Sequence, residues 1–228
     1  MEVYLAAVAQ AGAEYGLSLH LGKTQLLRVK SNEAVHKNTG EAFVPHDSMV
    51  YLGGLLAGDG KPEQELSRII GLATADFKAL TRVWSHSVLS RSRKLHIFHA
   101  CVVSVLFYGL KTVWLSAVSR RRLDGFYVRC LRKILRIPAS YYSRVSNKTV
   151  LDRADSKQLS QQLLAQQLCY FGKLALRSNG PARDSVFRPG AVFLAERAGL
   201  RPRGRPRDSW GEQVFKHAVL AAGGADQL

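Results

Sequence analysis

The chain has 228 residues, 46% of them hydrophobic, and a formal net charge of +16. The apolar content suffices for one large core or two small ones, and no run of 18 or more apolar residues calls for a bilayer. Glu2 stands where a secretory leader would be positive, and Gln10 and Glu14 interrupt the apolar run, so a soluble, intracellular protein with no membrane partner is expected.

In chain order, residues 1–15 read as a helix, with Val3, Leu5, Ala6, Val8, Ala9 and Ala13 on an apolar face and Gly16 as a left-handed stop. Leu17, Leu19 and Leu21 alternate with Ser18 and His20, the period of a half-buried strand. Residues 25–29 form a second short strand candidate, and the turn-rich stretch 31–47 holds a hairpin turn at Asn38-Thr39-Gly40. Residues 49–56 resume strand character before Gly58-Asp59-Gly60 closes the segment. The remainder is helical. Pro62 opens a helix with Glu63 and Glu65 near its positive end, and Leu66, Ile69, Ile70, Ala73, Phe77, Leu80 and Val83 follow at helical spacing. Ser90 caps a core helix predicted to reach Trp114, and Ser119 caps the next, to Ile137, with Leu123, Phe126, Cys130, Ile134 and Leu135 inward and arginines outward. Pro138 ends it. A short helix over 146–152 and a long one over 156–177 with an exposed glutamine face follow; Gly180-Pro181 breaks the latter. A Pro/Gly/Arg-rich stretch over 199–206 precedes a last helix over 207–220 and a frayed tail. The expected fold is α+β, mostly α: a β-hairpin piece over 1–60, a helical domain over 61–140, and a helical, basic C-terminal region over 141–228.

Charge is unevenly spread. Between Arg82 and Arg136 twelve basic residues meet one acid, Asp124, and Arg197, Arg201, Arg203, Arg205 and Arg207 form a second acid-free cluster. Solvated faces mix both signs; dense single-sign fields favour a polyanion, whose counterions are released on binding. Catalytic chemistry finds no such support. Two-metal nucleotidyl transfer needs converging carboxylates, and the strand-like segments offer only Asp47 and Asp59 at loop ends. His96 and His99 share a helix face, but Cys101 points elsewhere, so they read as partly buried histidines. Cys101, Cys130 and Cys169 lie far apart, with no CxxC pair, and read as buried reduced thiols, or for Cys130 as a residue on a partly basic helix. Neither a GxSxG elbow nor a Walker loop is present. Trp114 and Tyr108 read as core.

A series of local patterns then resembles the second half of non-LTR (LINE-type) retrotransposon reverse transcriptases. Gly16-Leu-Ser-Leu-His-Leu-Gly-Lys23-Thr24 resembles the family's "GL-x-x-N-x-x-KT" palm motif D, and Val50-Tyr-Leu-Gly53 the "YLG" of the primer-grip hairpin, motif E. Glu65, Arg68, Ile69 and Ala73 resemble the first thumb helix, and Lys94, Val105, Phe107, Tyr108, Gly109 and Trp114 the helix ending "YG-x-x-x-W". Arg121-Arg122-Leu123-Asp124, Cys130-Leu131-Arg132-Lys133-Ile134-Leu135, Arg144-Val-Ser-Asn147, Tyr170-Phe-Gly172 and Gly204-Arg-Pro-Arg207 with Trp210 follow in the family's order. Single motifs are weak; the ordered set, spanning nearly the whole chain, is specific. His20 replaces the motif D asparagine and Lys173 a histidine, and the zinc-knuckle cysteines are not seen.

The resemblance implies a palm edge, a thumb and a linker. Motifs A and C, with their metal-binding aspartates, would precede Met1, so this chain is expected to extend no primer; it needs no cofactor of its own, magnesium belonging to the missing catalytic part. Lys23 is a motif D remnant, and Tyr51, Leu52 and Gly53 would be the primer-grip tip. Arg91, Arg93, Lys94, Arg120, Arg121, Arg122, Arg129, Arg132, Lys133, Arg136, Arg203, Arg205 and Arg207 are the candidate contacts to an RNA–DNA hybrid or duplex, through phosphates and without reading sequence. The alternatives are a domesticated, sequence-independent RNA- or DNA-binding protein and a decayed reading frame; oligomeric state is not legible.

Overall fold

The computed structural model describes residues 1–29, 31–37, 40–178, 180–188, 194 and 209–224. The chain is mostly helical with a few short strands, and it divides into two compact units, Met1–Glu65 and Leu66–Leu228.

In the first unit, α1 (Glu2–Ala13) forms as its apolar spacing predicts, and Gly16 turns left-handed behind it at φ +70°. No residue of α1 is buried; Val3 is 84% exposed. The strand expected at Leu17–Leu21 does not form. A single 3₁₀ turn, Leu21–Lys23, stands there, and Leu17, Leu19 and Leu21 are exposed. Alternation fixes a strand's faces only where a neighbour takes its ladder and a core takes its apolar side, and this segment has neither among the described residues. β1 (Leu26–Leu27) pairs in parallel with β2 (Pro45–His46). Between them His36 bridges Ala42 antiparallel, and Gly40 turns at φ +82°, while Asn38 and Thr39 lie outside the described residues. β3 (Ser48–Tyr51) and β4 (Gly54–Ala57) form an antiparallel hairpin. Its two turn residues, Leu52 at φ +49° and Gly53 at φ +80°, are both left-handed, the twist-matching type I′ arrangement. The buried Glu65 carboxylate accepts the Leu55 N–H at 3.1 Å and so ties the hairpin to the start of the next helix. Phe43 is the one buried apolar side chain of this unit among the described residues.

The second unit holds the core. α2 (Glu63–Ala79) turns Leu66, Ile69, Ala73 and Phe77 inward. The run expected to continue to Val83 breaks at Leu80 and restarts as α3 (Thr81–Ser85). The break sets Trp84 flat on Phe77, ring centroids 5.0 Å apart, and lets its indole N–H donate to the Phe77 carbonyl at 2.8 Å. α4 (Arg91–Phe98) starts on the predicted cap, Ser90, whose hydroxyl accepts the Arg93 N–H. A π-helical turn, His99–Val103, then runs into α5 (Ser104–Leu110). This helix stops at Leu110, short of Trp114. Its end is closed by Gln167, whose buried amide donates to the carbonyls of Leu110 at 3.2 Å and Val113 at 2.8 Å. One of the four orphan acceptors the helix end leaves, the Leu110 carbonyl, is thereby engaged together with the Val113 carbonyl of the turn that follows, and the expected glutamine face is not wholly exposed.

α6 (Ala117–Ile134) is capped by Ser116, not Ser119, which lies inside the helix with its N–H donated to the Ser116 hydroxyl at 3.2 Å. It ends at Ile134 in a Schellman turn: Ile137 N–H donates to Arg132 O and Arg136 N–H to Lys133 O, with Arg136 left-handed at φ +55°. α7 (Ser140–Ser143), α8 (Asn147–Arg153, capped by Ser146), α9 (Leu159–Ala175) and α10 (Pro181–Asp184) follow. α11 (Trp210–Ala222) opens on a reciprocal capping box between Ser209 and Glu212. α2 to α9 enclose one core, with Phe98, Leu106, Leu123, Tyr127 and Leu131 fully inside; Phe171, Leu174, Phe187, Val214 and Ala218 make a second, smaller cluster.

No helix among the described residues is long and apolar enough to cross a membrane. Within residues 97–110, Phe98, Val102, Val103, Leu106 and Leu110 are each 2% exposed or less and belong to the core. The thiols divide differently from expectation. Cys130 is buried, whereas Cys101 and Cys169 are exposed, because each sits on the outward side of its helix. Burial pushes the Cys130 thiol up to about 12, overriding the nearby positive charges of Arg129 and Lys133. At pH 8 a disulfide-exchange reagent should therefore label two thiols in the native protein and the third only after unfolding. Rapid labelling of all three would contradict the packing around Cys130.

Candidate nucleic-acid interface

The basic face of α6 follows from helical geometry. Arg121, Gly125, Arg129 and Lys133 recur every four residues and so lie in one row. At 1.5 Å per residue, the row runs about 18 Å from Arg121 to Lys133, comparable to about five base steps along a duplex. Arg121, Arg122, Arg129 and Lys133 are exposed, while Leu123, Phe126, Tyr127, Cys130 and Leu131 on the opposite side are buried.

The one acid of this helix does not neutralise that row. Asp124 faces the start of α9, where its carboxylate accepts the Ser160 N–H at 2.8 Å and the Ser160 hydroxyl at 2.7 Å. There it serves as a negative charge at a helix N-terminus. Arg121, Arg129 and Lys133 make no ion pair among the described residues. Arg122 donates to the Ser67 hydroxyl at 2.8 Å, with its remaining donors at the surface. Arg136, just beyond the helix, is exposed and donates to the Ser85 carbonyl at 3.0 Å.

The other candidates separate into three groups. Arg91 and Arg93 are exposed on the first turn of α4. Arg120 is half-buried, its guanidinium 4.0 Å above the Trp114 ring, whose neighbour is the His217 ring at 5.4 Å. Burial lowers the Arg120 pKa, and the Asp124 charge works against that shift. This arginine is a stacking partner of Trp114.

Lys94 and Arg132 leave the candidate set. Lys94 is 6% exposed, and its ammonium donates to the carbonyls of Trp84 at 2.9 Å and His86 at 2.6 Å. Arg132 is 7% exposed, and its guanidinium donates to the Pro138 carbonyl at 2.9 Å, the Val145 carbonyl at 2.6 Å and Asn147 Oδ1 at 3.1 Å. Both charges are consumed in holding backbone. Arg203, Arg205 and Arg207 lie outside the described residues.

In the first unit, Lys23 ends the 3₁₀ turn and is exposed. Tyr51, Leu52 and Gly53 form the tip of the β3–β4 hairpin, with Tyr51 58% and Leu52 76% exposed. An apolar tip on a two-residue turn is a shape that can abut a chain end, and it carries no chemistry of its own.

His99 belongs to a polar cluster in the helical unit. Its Nε2 lies 3.0 Å from the Tyr127 hydroxyl, which also meets the Ser156 hydroxyl at 2.6 Å, while Gln162 donates to Ser156 at 3.2 Å. Burial, and then the charge of His96, lowers the His99 pKa. His96 itself is exposed, so the expected pair of partly buried histidines is a single one. Among the described residues no group of three or more His, Cys, Asp or Glu could hold a metal ion.

Two features escaped the sequence reading. Tyr108, expected in the core, is 69% exposed, because the π-helical turn shifts the register of α5 by part of a turn. Tyr141 and Tyr142 are exposed side by side on α7; two adjacent tyrosines in an acid-free stretch are their signal in the sequence. Comparison with protein-family profiles, with curated proteins and with solved structures finds no match to this chain.

Proposed function

We propose that the chain is the palm-edge and thumb segment of a non-LTR retrotransposon reverse transcriptase, gripping template–primer duplex through its phosphates. The observation that carries the nucleic-acid half is the acid-free row on α6. Its only carboxylate is turned away to cap α9, so the row meets solvent as uncompensated charge. Arginine suits this task, since its planar fork takes phosphate in two-point contact. The reverse-transcriptase half rests on the ordered motifs and on the hairpin tip at Tyr51-Leu52-Gly53. In this reading the first unit is a palm remnant and the helices from α2 onward a thumb with its linker. The contacts are to backbone, so the affinity carries little sequence preference.

The test is the salt dependence of binding to an RNA–DNA hybrid or duplex, read by fluorescence anisotropy. On duplex DNA, log K falls with log salt by about 0.9 per phosphate contacted. Replacing Arg121, Arg129 and Lys133 together by alanine should flatten that slope by up to about three and weaken binding on all sequences alike. A control lacking Arg153, Lys173 and Arg177, equally exposed cations off this row, should keep most of the slope. Equal loss in both variants would reduce the interface to net charge. An affinity indifferent to salt in the parent protein would remove the phosphate contacts altogether.

A further inference from the structure

We infer that Tyr141 and Tyr142 form a stacking platform for the unpaired bases of a single-stranded nucleic acid, distinct from the phosphate-binding row on α6. The inference rests on the reading that the chain binds nucleic acid and adds to it a second site with a different chemistry. The two side chains are 76% and 79% exposed, the ring centroids are 5.2 Å apart, and the rings stand nearly perpendicular at 83°. In that arrangement the edge of one ring meets the face of the other, and the remaining aromatic faces look into solvent. Neither tyrosine belongs to either apolar cluster of the helical unit.

Their support is cross-linked by hydrogen bonds. The segment from Pro138 to Asn147 closes around the buried Arg132 guanidinium, which binds the Pro138 and Val145 carbonyls at its two ends and the Asn147 side chain. Ser143 closes the loop from within, its hydroxyl donating to the Pro138 carbonyl at 3.1 Å and accepting the Val145 N–H at 3.3 Å. Ile137 and Val145, at its feet, pack on the core. Tyrosines held on a pinned loop lose little freedom on binding, which is what a preorganised platform requires.

The surroundings select the occupant. No acid lies between Asp124 and Asp152. Arg136, Arg144 and Lys148, on both sides of the tyrosine pair in sequence, are exposed. Arg144 holds a left-handed conformation at φ +53° as the cap of α7, a position where glycine would be unstrained. Aromatic faces interleaved with cations and free of acids match a strand whose bases are splayed and whose phosphates are negative. A duplex hides its base faces and could not use the tyrosines.

The experiment compares three fluorescein-labelled probes on the full chain: an oligothymidylate, a strand of the same length with abasic sites replacing its central bases, and a blunt duplex. The abasic strand keeps the phosphates and removes the faces. The base-bearing strand should bind about tenfold tighter than the abasic one. The double variant Tyr141→Ala, Tyr142→Ala should erase that difference and leave blunt-duplex affinity unchanged, while Tyr141→Phe, Tyr142→Phe should preserve it. The platform is overturned if base-bearing and abasic strands bind alike, if the alanine variant keeps the preference, or if phenylalanine fails as alanine does. Base preference without duplex binding would sustain the platform and sink the duplex reading; duplex binding without base preference would do the reverse.

Discussion

Phe98→Ala should cost the helical unit about 3–5 kcal/mol, a large part of the 5–15 kcal/mol that holds a typical domain together. Phe98 is fully buried at the end of α4 and is the ring on which four others converge. Phe77 and Trp84 meet it edge-on at 5.7 and 6.3 Å, Tyr127 stacks on it at 5.7 Å, and His99 lies at 5.8 Å. Truncation removes the ring's own transfer energy and leaves a void that helices from three directions border. None of them can collapse into it without breaking its own packing. Phe98→Leu, which refills most of the volume, should lose only about 1–2 kcal/mol. Urea unfolding followed by tryptophan emission reads the difference, since Trp84 borders the site. A loss below about 1 kcal/mol for the alanine variant would mean that the ring cluster is not the centre of the core.

The parts of this fold legible in the sequence are those decided within one helical turn. Ser90 before α4, Ser146 before α8 and Pro62 before α2 are local signals, and each stands at or beside the helix start it announced. The basic face of α6 was legible for the same reason, since periodicity alone separates Leu123 and Phe126 from Arg121, Arg122 and Arg129. What was not legible depends on partners far along the chain. Leu17–Leu21 alternates as a strand should, yet only a neighbouring strand could have made it one. The π-helical turn at His99 accompanies a hydrogen bond to Tyr127, 28 residues away, which no local pattern encodes. Lys94 and Arg132 show the same limit at the candidate site. A cation reads identically in sequence whether water or backbone carbonyls surround it. Lys94 did carry a hint, for it lies four residues before Phe98 and eight before Val102, on the row that is buried.

Arg132 gives that distinction its sharpest test. As a phosphate ligand it would tolerate lysine, which keeps the charge. As the centre of the loop after α6 it would not, because lysine is a point charge on a flexible stem and cannot span carbonyls that a planar fork reaches together. The structure places it in the second role, so Arg132→Lys and Arg132→Ala should both destabilise the helical unit. The expected cost is about 2–4 kcal/mol, from charge-assisted hydrogen bonds lost and the Val145 carbonyl left without its guanidinium donor, the Pro138 carbonyl keeping only the Ser143 hydroxyl. The salt slope of duplex binding should change far less than when Arg121, Arg129 and Lys133 are removed. The loop itself supplies an independent readout. With the guanidinium no longer joining the Pro138 and Val145 carbonyls, residues around Tyr141 and Tyr142 should open below the global unfolding free energy, and chymotrypsin should cut there in Arg132→Ala under conditions where the parent chain resists. If Arg132→Lys instead keeps both stability and protease resistance while weakening binding, the guanidinium reaches nucleic acid and the loop stands without it.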